Sequence, residues 1–186
     1  TFEILKNLAA ATRQFYKKYR KGNGWSPLHI MAHYGELELF MQILGKIDDK
    51  NPANNDGFTP LYIAAQNGHI DIYKVISGNL DNKNPAKSGG FTPLYIAAQE
   101  GYYDFCKLII DNVDNKNPAN NDGHTPLYIA AQNGNFEICK LIIENVDDAN
   151  HADNNGSTPL FILKMSMTQI LLTIMGPHVT PLHSCT

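Results

Sequence analysis

Apolar residues recur along this chain in two alternating helical patterns. Near its middle, Leu61, Ala64 and Ala65 follow the i, i+3, i+4 spacing of one narrow face of a helix. A second apolar set begins at Ile72 and ends at Ile76, and both sets return further along the chain. Each unit of the pattern therefore predicts two short helices that pack antiparallel to one another.

A proline marks the period of this pattern. Five Ser-Pro or Thr-Pro pairs stand 33 residues apart, with their prolines at Pro27, Pro60, Pro93, Pro126 and Pro159. A Ser or Thr side chain can cap the free N–H groups of a helix, and proline in the first turn loses no hydrogen bond, so each pair predicts a helix start. A fixed period of this length predicts a solenoid, in which each unit buries its apolar face against its neighbours.

The repeats are nearly identical to one another in places. Residues 51–76 and 117–142 share 20 of 26 positions. The loops between helix pairs are rich in Asn, Asp, Pro and Gly, which favour turns. One asparagine keeps the same register in four loops, at Asn51, Asn84, Asn117 and Asn150. An amide at a constant position indicates a structural role, in which the side chain bonds backbone groups across the turn.

These features resemble the ankyrin repeat family, whose unit is a β-turn and two helices around a Thr-Pro-Leu-His-x-Ala core. The motif stands as SPLHIMA at 26–32 and as TPLYIAA at 59–65, 92–98 and 125–131. The resemblance implies an all-α solenoid of antiparallel helix pairs joined by β-turn or hairpin loops.

The motif histidine of the family is retained here only at His29. Tyr62, Tyr95 and Tyr128 stand in its place in the later repeats, so the hydrogen bond that the imidazole makes between repeats is either remade by a phenol or lost. We expect these tyrosines to be packing residues. The alternative is an aromatic ladder that runs from one repeat to the next.

The period divides the chain into six segments. Four of them are full repeats, at 23–55, 56–88, 89–121 and 122–154. Residues 1–22 are expected to be the second helix and loop of a truncated preceding repeat, because FEILK at 2–6 echoes FEICK at 136–140; a separate N-terminal cap helix is the alternative. Residues 155–186 are expected to be a degenerate or truncated C-terminal repeat and tail, and the chain is interpreted as part of a longer array.

Charge and hydropathy argue against binding to nucleic acid or insertion into a membrane. A net charge of −3 does not supply the basic stripe that nucleic acid requires, and no apolar run reaches 18 residues. One basic cluster is interpreted as a solvated helix face, with a nucleic-acid or membrane patch as the alternative. Its members are Arg13, Lys17, Lys18, Arg20 and Lys21.

The cysteines favour a reducing compartment. Cys106 and Cys139 occupy the same position in successive repeats, which places them about 10 Å apart by the usual spacing of packed helices, too far for a disulfide. With Cys185 in the tail, they are expected to be reduced thiols. The predicted setting is cytoplasmic, with the nucleus not excluded.

No arrangement of residues in the sequence indicates catalysis. His29 and His33 have the i, i+4 spacing of paired metal ligands, but the Glu of a zinc hydrolase does not stand between them. No glycine-rich phosphate loop and no recurring Cys-His or carboxylate pair is present. The sequence therefore predicts no enzyme activity, no metal, no cofactor and no small-molecule substrate.

The resemblance implies instead a noncatalytic scaffold that binds a partner protein through loop tips and the exposed side of each first helix. The alternatives are a targeting module of a larger enzyme or channel, and a mainly structural, spring-like array. Trp25, Phe58 and Phe91 form an aromatic series on successive loops that either anchors the partner or packs on its own hairpins. The positions expected to contact the partner are Asn23, Trp25, His33, Tyr34, Asn55, Asp56, Phe58, Gln66, Asn67, Ser88, Phe91, Gln99, Glu100, Asn121, Asp122, His124, Gln132 and Asn133.

Overall fold

The computed structural model describes residues 23–165, in which eight short α-helices form four antiparallel pairs. No β-strand occurs in this range, so the predicted all-α solenoid is confirmed. The predictions for residues 1–22 and 166–186 lie outside the described residues. The pairs are α1 (Pro27–Tyr34) with α2 (Leu37–Leu44), α3 (Pro60–Gln66) with α4 (Ile70–Ser77), α5 (Pro93–Glu100) with α6 (Tyr103–Ile110), and α7 (Pro126–Asn133) with α8 (Phe136–Ile143).

Each first helix begins at the predicted Ser-Pro or Thr-Pro pair. The Thr59 hydroxyl accepts a hydrogen bond from the Tyr62 N–H at 3.2 Å, and the Thr92 and Thr125 hydroxyls repeat that bond in α5 and α7. Proline has no N–H to leave unpaired, so the proline and the Thr hydroxyl together account for two of the positions in the first turn. The sequence prediction of the helix starts is therefore confirmed.

The asparagine of constant register completes the same helix starts. The Asn84 side-chain oxygen accepts a hydrogen bond from the Leu94 N–H at 2.9 Å, ten residues further on. Asn51 and Asn117 make the corresponding bonds, at 2.9 and 3.0 Å. The predicted structural role of this amide is confirmed, and its target is a free N–H in the first turn of the next helix.

First helices stack on one another in the order α1, α3, α5, α7, while the second helices pack behind them. The stacked helices approach closely because their facing positions are small: both alanines of each Ala-Ala pair are fully buried. Leucines on the same helices and isoleucines from the second helices complete a core that is continuous from one repeat to the next. Every repeat therefore buries its apolar residues partly against its neighbours.

The last described segment departs from this pattern. Residues 159–165 are helical and begin at the fifth Pro of the period. Leu160 is 50% exposed, whereas Leu61, Leu94 and Leu127 at the same position are fully buried. The positions that correspond to the second helix of this hairpin lie beyond residue 165 and are not described.

Candidate partner-binding surface

In four successive loops, the residue directly after a glycine of positive φ carries a ring. We call the four side chains the tip rings: Trp25, Phe58, Phe91 and His124. All four are half-buried, and Trp25, Phe58 and Phe91 pack against the apolar core. The tip rings therefore cover their own hairpins with part of their surface and expose the remainder.

Each tip ring contacts the aromatic or imidazole side chain four residues later. Phe58 meets Tyr62 edge to face with ring centroids 5.4 Å apart, and Phe91 meets Tyr95 in the same way at 5.1 Å. His124 stacks flat on Tyr128 at 4.3 Å. The motif tyrosines therefore pack as expected, and their ring contacts run within a repeat to the tip ring instead of forming a ladder between repeats. Such pairs add to the stability that burial alone provides.

Lys87 lies between two of the tip rings. Its ammonium nitrogen is 4.6 Å from the centroid of Phe58 and 4.6 Å from the centroid of Phe91. Burial lowers the pKa of Lys87, and the nearby Asp56 carboxylate opposes that shift. The cation is therefore held by the faces of two rings from successive repeats.

The second, fourth and fifth loops carry a carboxamide or carboxylate where the third carries Lys87. The Asn54 side-chain oxygen accepts hydrogen bonds from the N–H groups of Asp56 and Phe58, at 3.0 and 2.8 Å. Asn120 and Asp153 make the same pair of bonds in their own loops. Sequence reasoning missed this position. The signal in the sequence was the 33-residue spacing of residues 54, 87, 120 and 153, each of which stands four residues before the position of the tip ring.

Backbone hydrogen bonds join several neighbouring tips. The Asn55 N–H donates to the Asn23 carbonyl at 3.0 Å, and the Asn121 N–H donates to the Gly89 carbonyl at 3.0 Å. A third bond, from the Asn154 N–H to the Asp122 carbonyl, measures 3.1 Å. Between the second and third tips, the Lys87 ammonium supplies the contact that spans the two repeats. The tips are therefore held in register with one another.

The fourth tip ring is paired with a buried carboxylate. The His124 Nε2 atom lies 3.3 Å from an Asp153 carboxylate oxygen. Burial acts to raise the pKa of Asp153, but hydrogen bonds from the Ser157 and Asn155 N–H groups and the neighbouring imidazole together hold that pKa below its usual value. Asp153 therefore orients the imidazole at the end of the row.

The first helices add exposed polar side chains beside the tips. Gln66 and Gln132 are exposed, at the same position of α3 and α7. Asn133 donates a hydrogen bond from its amide to the Gln99 carbonyl at 2.9 Å, across the junction between two repeats. Tyr34, 57% exposed, meets His33 edge to face at 4.9 Å.

The 18 predicted contact positions are all at least partly exposed. Those that are half-buried are Trp25, His33, Phe58, Asn67, Phe91, Gln99 and His124, and the others are exposed. The structure brings their loops together along one line of tips and one row of first helices. Their contact with a partner stays a prediction.

His29 and the described cysteines have structural surroundings. The His29 Nδ1 atom accepts a hydrogen bond from the Ser26 N–H at 3.0 Å, so Nε2 carries the proton and donates to the Phe58 carbonyl at 2.9 Å. Both nitrogens of the ring are thereby occupied, and its bond spans two repeats. Cys106 and Cys139 are free, buried thiols.

Stacked helical hairpins with one row of loop tips define a repeat-protein solenoid whose exposed side chains are presented along an extended surface. The sequence model for ankyrin repeats, which spans three copies of the repeat, matches residues 1–87 and 94–178. The chain therefore belongs to the ankyrin repeat family. Members of this family are generally protein-interaction modules and are typically noncatalytic.

A search of curated proteins found no match to this chain. None of the helices in residues 23–165 is long and apolar enough to cross a bilayer.

Proposed function

We propose that this chain is a noncatalytic scaffold that binds a partner protein through the tip rings and the exposed side of the first helices. The observation that carries the proposal is the row of half-exposed rings, held in register by bonds between neighbouring tips and flanked by exposed amides. Aromatic side chains supply much of the binding energy at protein interfaces, and Asn and Gln beside them supply adaptable hydrogen bonds.

The rigidity of the row supports the same proposal. Asn54 accepts a hydrogen bond from the Phe58 N–H in the same loop, and Lys87 from the next loop contacts the Phe58 ring. The aromatic surface is therefore organised before a partner arrives. Little conformational entropy is then lost on binding. The two buried free thiols support an intracellular, cytoplasmic setting as part of the proposal.

The proposal is tested with a displayed peptide library selected on this chain. The affinity of the selected ligands is then compared between the parent and a Phe58→Ala/Phe91→Ala variant. Loss of two anchor rings is expected to weaken binding at least about 30-fold, which corresponds to about 2 kcal/mol. The control is Met41→Ala/Tyr103→Ala, which truncates two exposed side chains on the second helices.

A second pair of substitutions separates binding from folding. Gln66→Arg/Gln132→Arg places bulk on exposed positions of α3 and α7 and leaves the tip rings and the core intact. This variant is expected to keep the helical circular dichroism of the parent and to lose the ligands. Ligands that bind the parent, Phe58→Ala/Phe91→Ala and Gln66→Arg/Gln132→Arg equally well would show that the partner uses another face.

A further inference from the structure

We infer that the partner segment bound by this surface is basic, with an apolar residue that packs on Phe58 and Phe91 and lies between two cationic residues that pair with Asp56 and Asp122. The inference rests on the proposed function, because it names the chemistry of the partner at the same surface.

The described part of the chain is far more acidic than the whole. Residues 23–165 contain nine Lys and 17 Asp or Glu, a net charge of −8, although the full chain carries −3. The difference arises because residues 1–22 contain six Lys or Arg and one Glu. The described repeats therefore attract cationic partners, and such attraction raises the rate of association and selects among partners.

Two carboxylates on or just after the second helices are paired with a lysine, whereas two on the binding surface are not. On the second helices and just after them, Asp71 lies 3.8 Å from the Lys74 ammonium, and Asp111 lies 3.5 Å from that of Lys107. Asp56 and Asp122 are exposed, and neither has a basic group within 4 Å in the part of the chain that the structure describes. Neither carboxylate is therefore held in an ion pair by a described residue, although Asp56 also acts on the nearby ammonium of Lys87.

The basic residue among the described loop tips is already engaged by the protein. Lys87 has its ammonium between two ring faces, at 4.6 Å from each. Its position shows that the surface of these rings accepts a cation. Lys87 occupies the space between the rings. A cation of the partner would therefore pair with the flanking carboxylates instead.

The third tip has no side chain where its neighbours carry a carboxylate. Gly89 stands at the position of Asp56 and Asp122, with φ of +86°, and a Cβ atom there would come within 2.9 Å of the Phe91 ring. The glycine therefore lets the Phe91 ring lie against the backbone of its own tip, with one carboxylate on the preceding tip and one on the following tip.

The spacing of the two carboxylates sets the length of the partner segment. They are two repeats apart, which is roughly 20 Å when stacked helices lie about 10 Å apart. An extended chain covers that span in about six residues at about 3.3 Å per residue. The segment that fits has two Lys or Arg residues about six positions apart, with an apolar or aromatic residue between them.

The electrostatic influence of Glu100 and Asp122 reaches the tyrosines beneath the row. Burial, with Tyr95 and Glu100, raises the pKa of Tyr62 to about 12. Burial, with Tyr128 and Asp122, also raises the pKa of Tyr95. These carboxylates therefore lie near enough to the buried tyrosines to act on them electrostatically.

The test uses two synthetic 12-residue peptides with a central Trp-Leu pair, one with Arg and one with Glu at the two flanking positions. Binding to the full chain is measured by fluorescence anisotropy at 150 mM salt. The Arg peptide is expected to bind at least about tenfold more tightly than the Glu peptide. In Asp56→Lys/Asp122→Lys this preference is expected to be reversed.

The matched control is Asp81→Lys/Asp114→Lys, which changes the net charge equally on exposed loops at the far ends of the second helices. It is expected to keep the preference for the Arg peptide. Equal binding of the two peptides, tighter binding of the Glu peptide, or a loss of preference in this control as large as in the tip variant would overturn the inference.

The library selection distinguishes this inference from the proposed function. Selected ligands that need Phe58 and Phe91 but are acidic or wholly apolar would keep the proposed function and overturn the basic partner. Selected ligands that do not need those rings would overturn both. Basic ligands that need the rings and both carboxylates are the expected result.

Discussion

At the scale of single residues, side chains at equivalent positions make different contacts in successive repeats. At the motif position, His29 bonds to the carbonyl of Phe58 in the next repeat, whereas Tyr62, Tyr95 and Tyr128 contact the tip ring of their own repeat. Four residues before the tip ring, Asn54 accepts a hydrogen bond from the backbone of its own loop, whereas Lys87 places its ammonium between two rings. Near-identical repeats therefore differ in how they are joined.

The His29 imidazole predicts a pH dependence of stability. Burial lowers its pKa, although the hydrogen bond to the Phe58 carbonyl opposes the shift. A base with a lowered pKa in the folded state stays neutral while the unfolded chain takes up a proton, so folding stability falls as pH drops below the unfolded value of about 6.5. We expect the free energy of unfolding in urea to decrease from pH 7 to pH 5.5, and to decrease less in His29→Tyr.

The tyrosine is the residue that the other repeats carry at this position, so the fold tolerates it. His151→Tyr is the control, because His151 is exposed and its replacement is expected to leave the pH dependence of the parent. Identical pH dependence in the parent and in His29→Tyr would contradict the assignment of the buried, neutral imidazole.

At the scale of elements, short helices are stable here because their ends are satisfied by neighbouring groups. Helices of seven or eight residues are too short to persist alone in water. In this array Thr92 and Asn84 bond the free N–H groups at the start of α5, and Gly101 ends that helix with φ of +81°. The starts were predictable because capping residues are local in sequence.

Glycine substitutions at helix ends are predicted to separate backbone strain from lost packing. Gly101→Ala is expected to destabilise the array by about 1–2 kcal/mol, because Ala disfavours positive φ and its Cβ atom would lie 3.2 Å from the Asn135 side chain. Gly45→Ala is the control: its φ is −67°, and a Cβ atom has ordinary space there. It is expected to change stability by less than about 0.5 kcal/mol or to increase it.

Gly134→Ala tests strain alone. Its φ is +74°, but an added Cβ atom meets nothing closer than 4.0 Å. A loss of stability similar to that of Gly101→Ala would show that backbone strain, and not a steric contact, accounts for the destabilisation. Thermal unfolding that is unchanged in both variants would contradict the role of the left-handed helix end.

At the scale of the whole molecule, each hairpin is stabilised by contacts with its neighbours in the array. The first helices contact their immediate neighbours in the order α1, α3, α5, α7. Arrays of this kind can open from an end, because an end unit has fewer neighbours than a central one. The same linear arrangement places the tip rings at regular intervals and creates the binding surface.

Two buried thiols are predicted to report this opening. Burial raises the pKa of Cys106 to about 12 and that of Cys139 to about 11, so neither is expected to react with iodoacetamide at pH 8 in the folded chain. In a Cys185→Ser background, rising urea is expected to expose Cys139 in α8 before Cys106 in α6, as measured by mass spectrometry. Labelling of both thiols at the same urea concentration would show instead that the array unfolds as one unit.

The sequence alone determined the repeat, the helix starts and the solenoid, because caps, glycine turns and apolar spacing act over a few residues and recur every 33. It also placed Trp25, Phe58 and Phe91 on successive loops. Only the tertiary structure decided that these rings are half-buried and that Lys87 lies between two of them, because both facts depend on contacts between residues about 30 positions apart. Which charges on the loops are paired was settled in the same way, since side chains that are distant in the chain meet only when the hairpins stack.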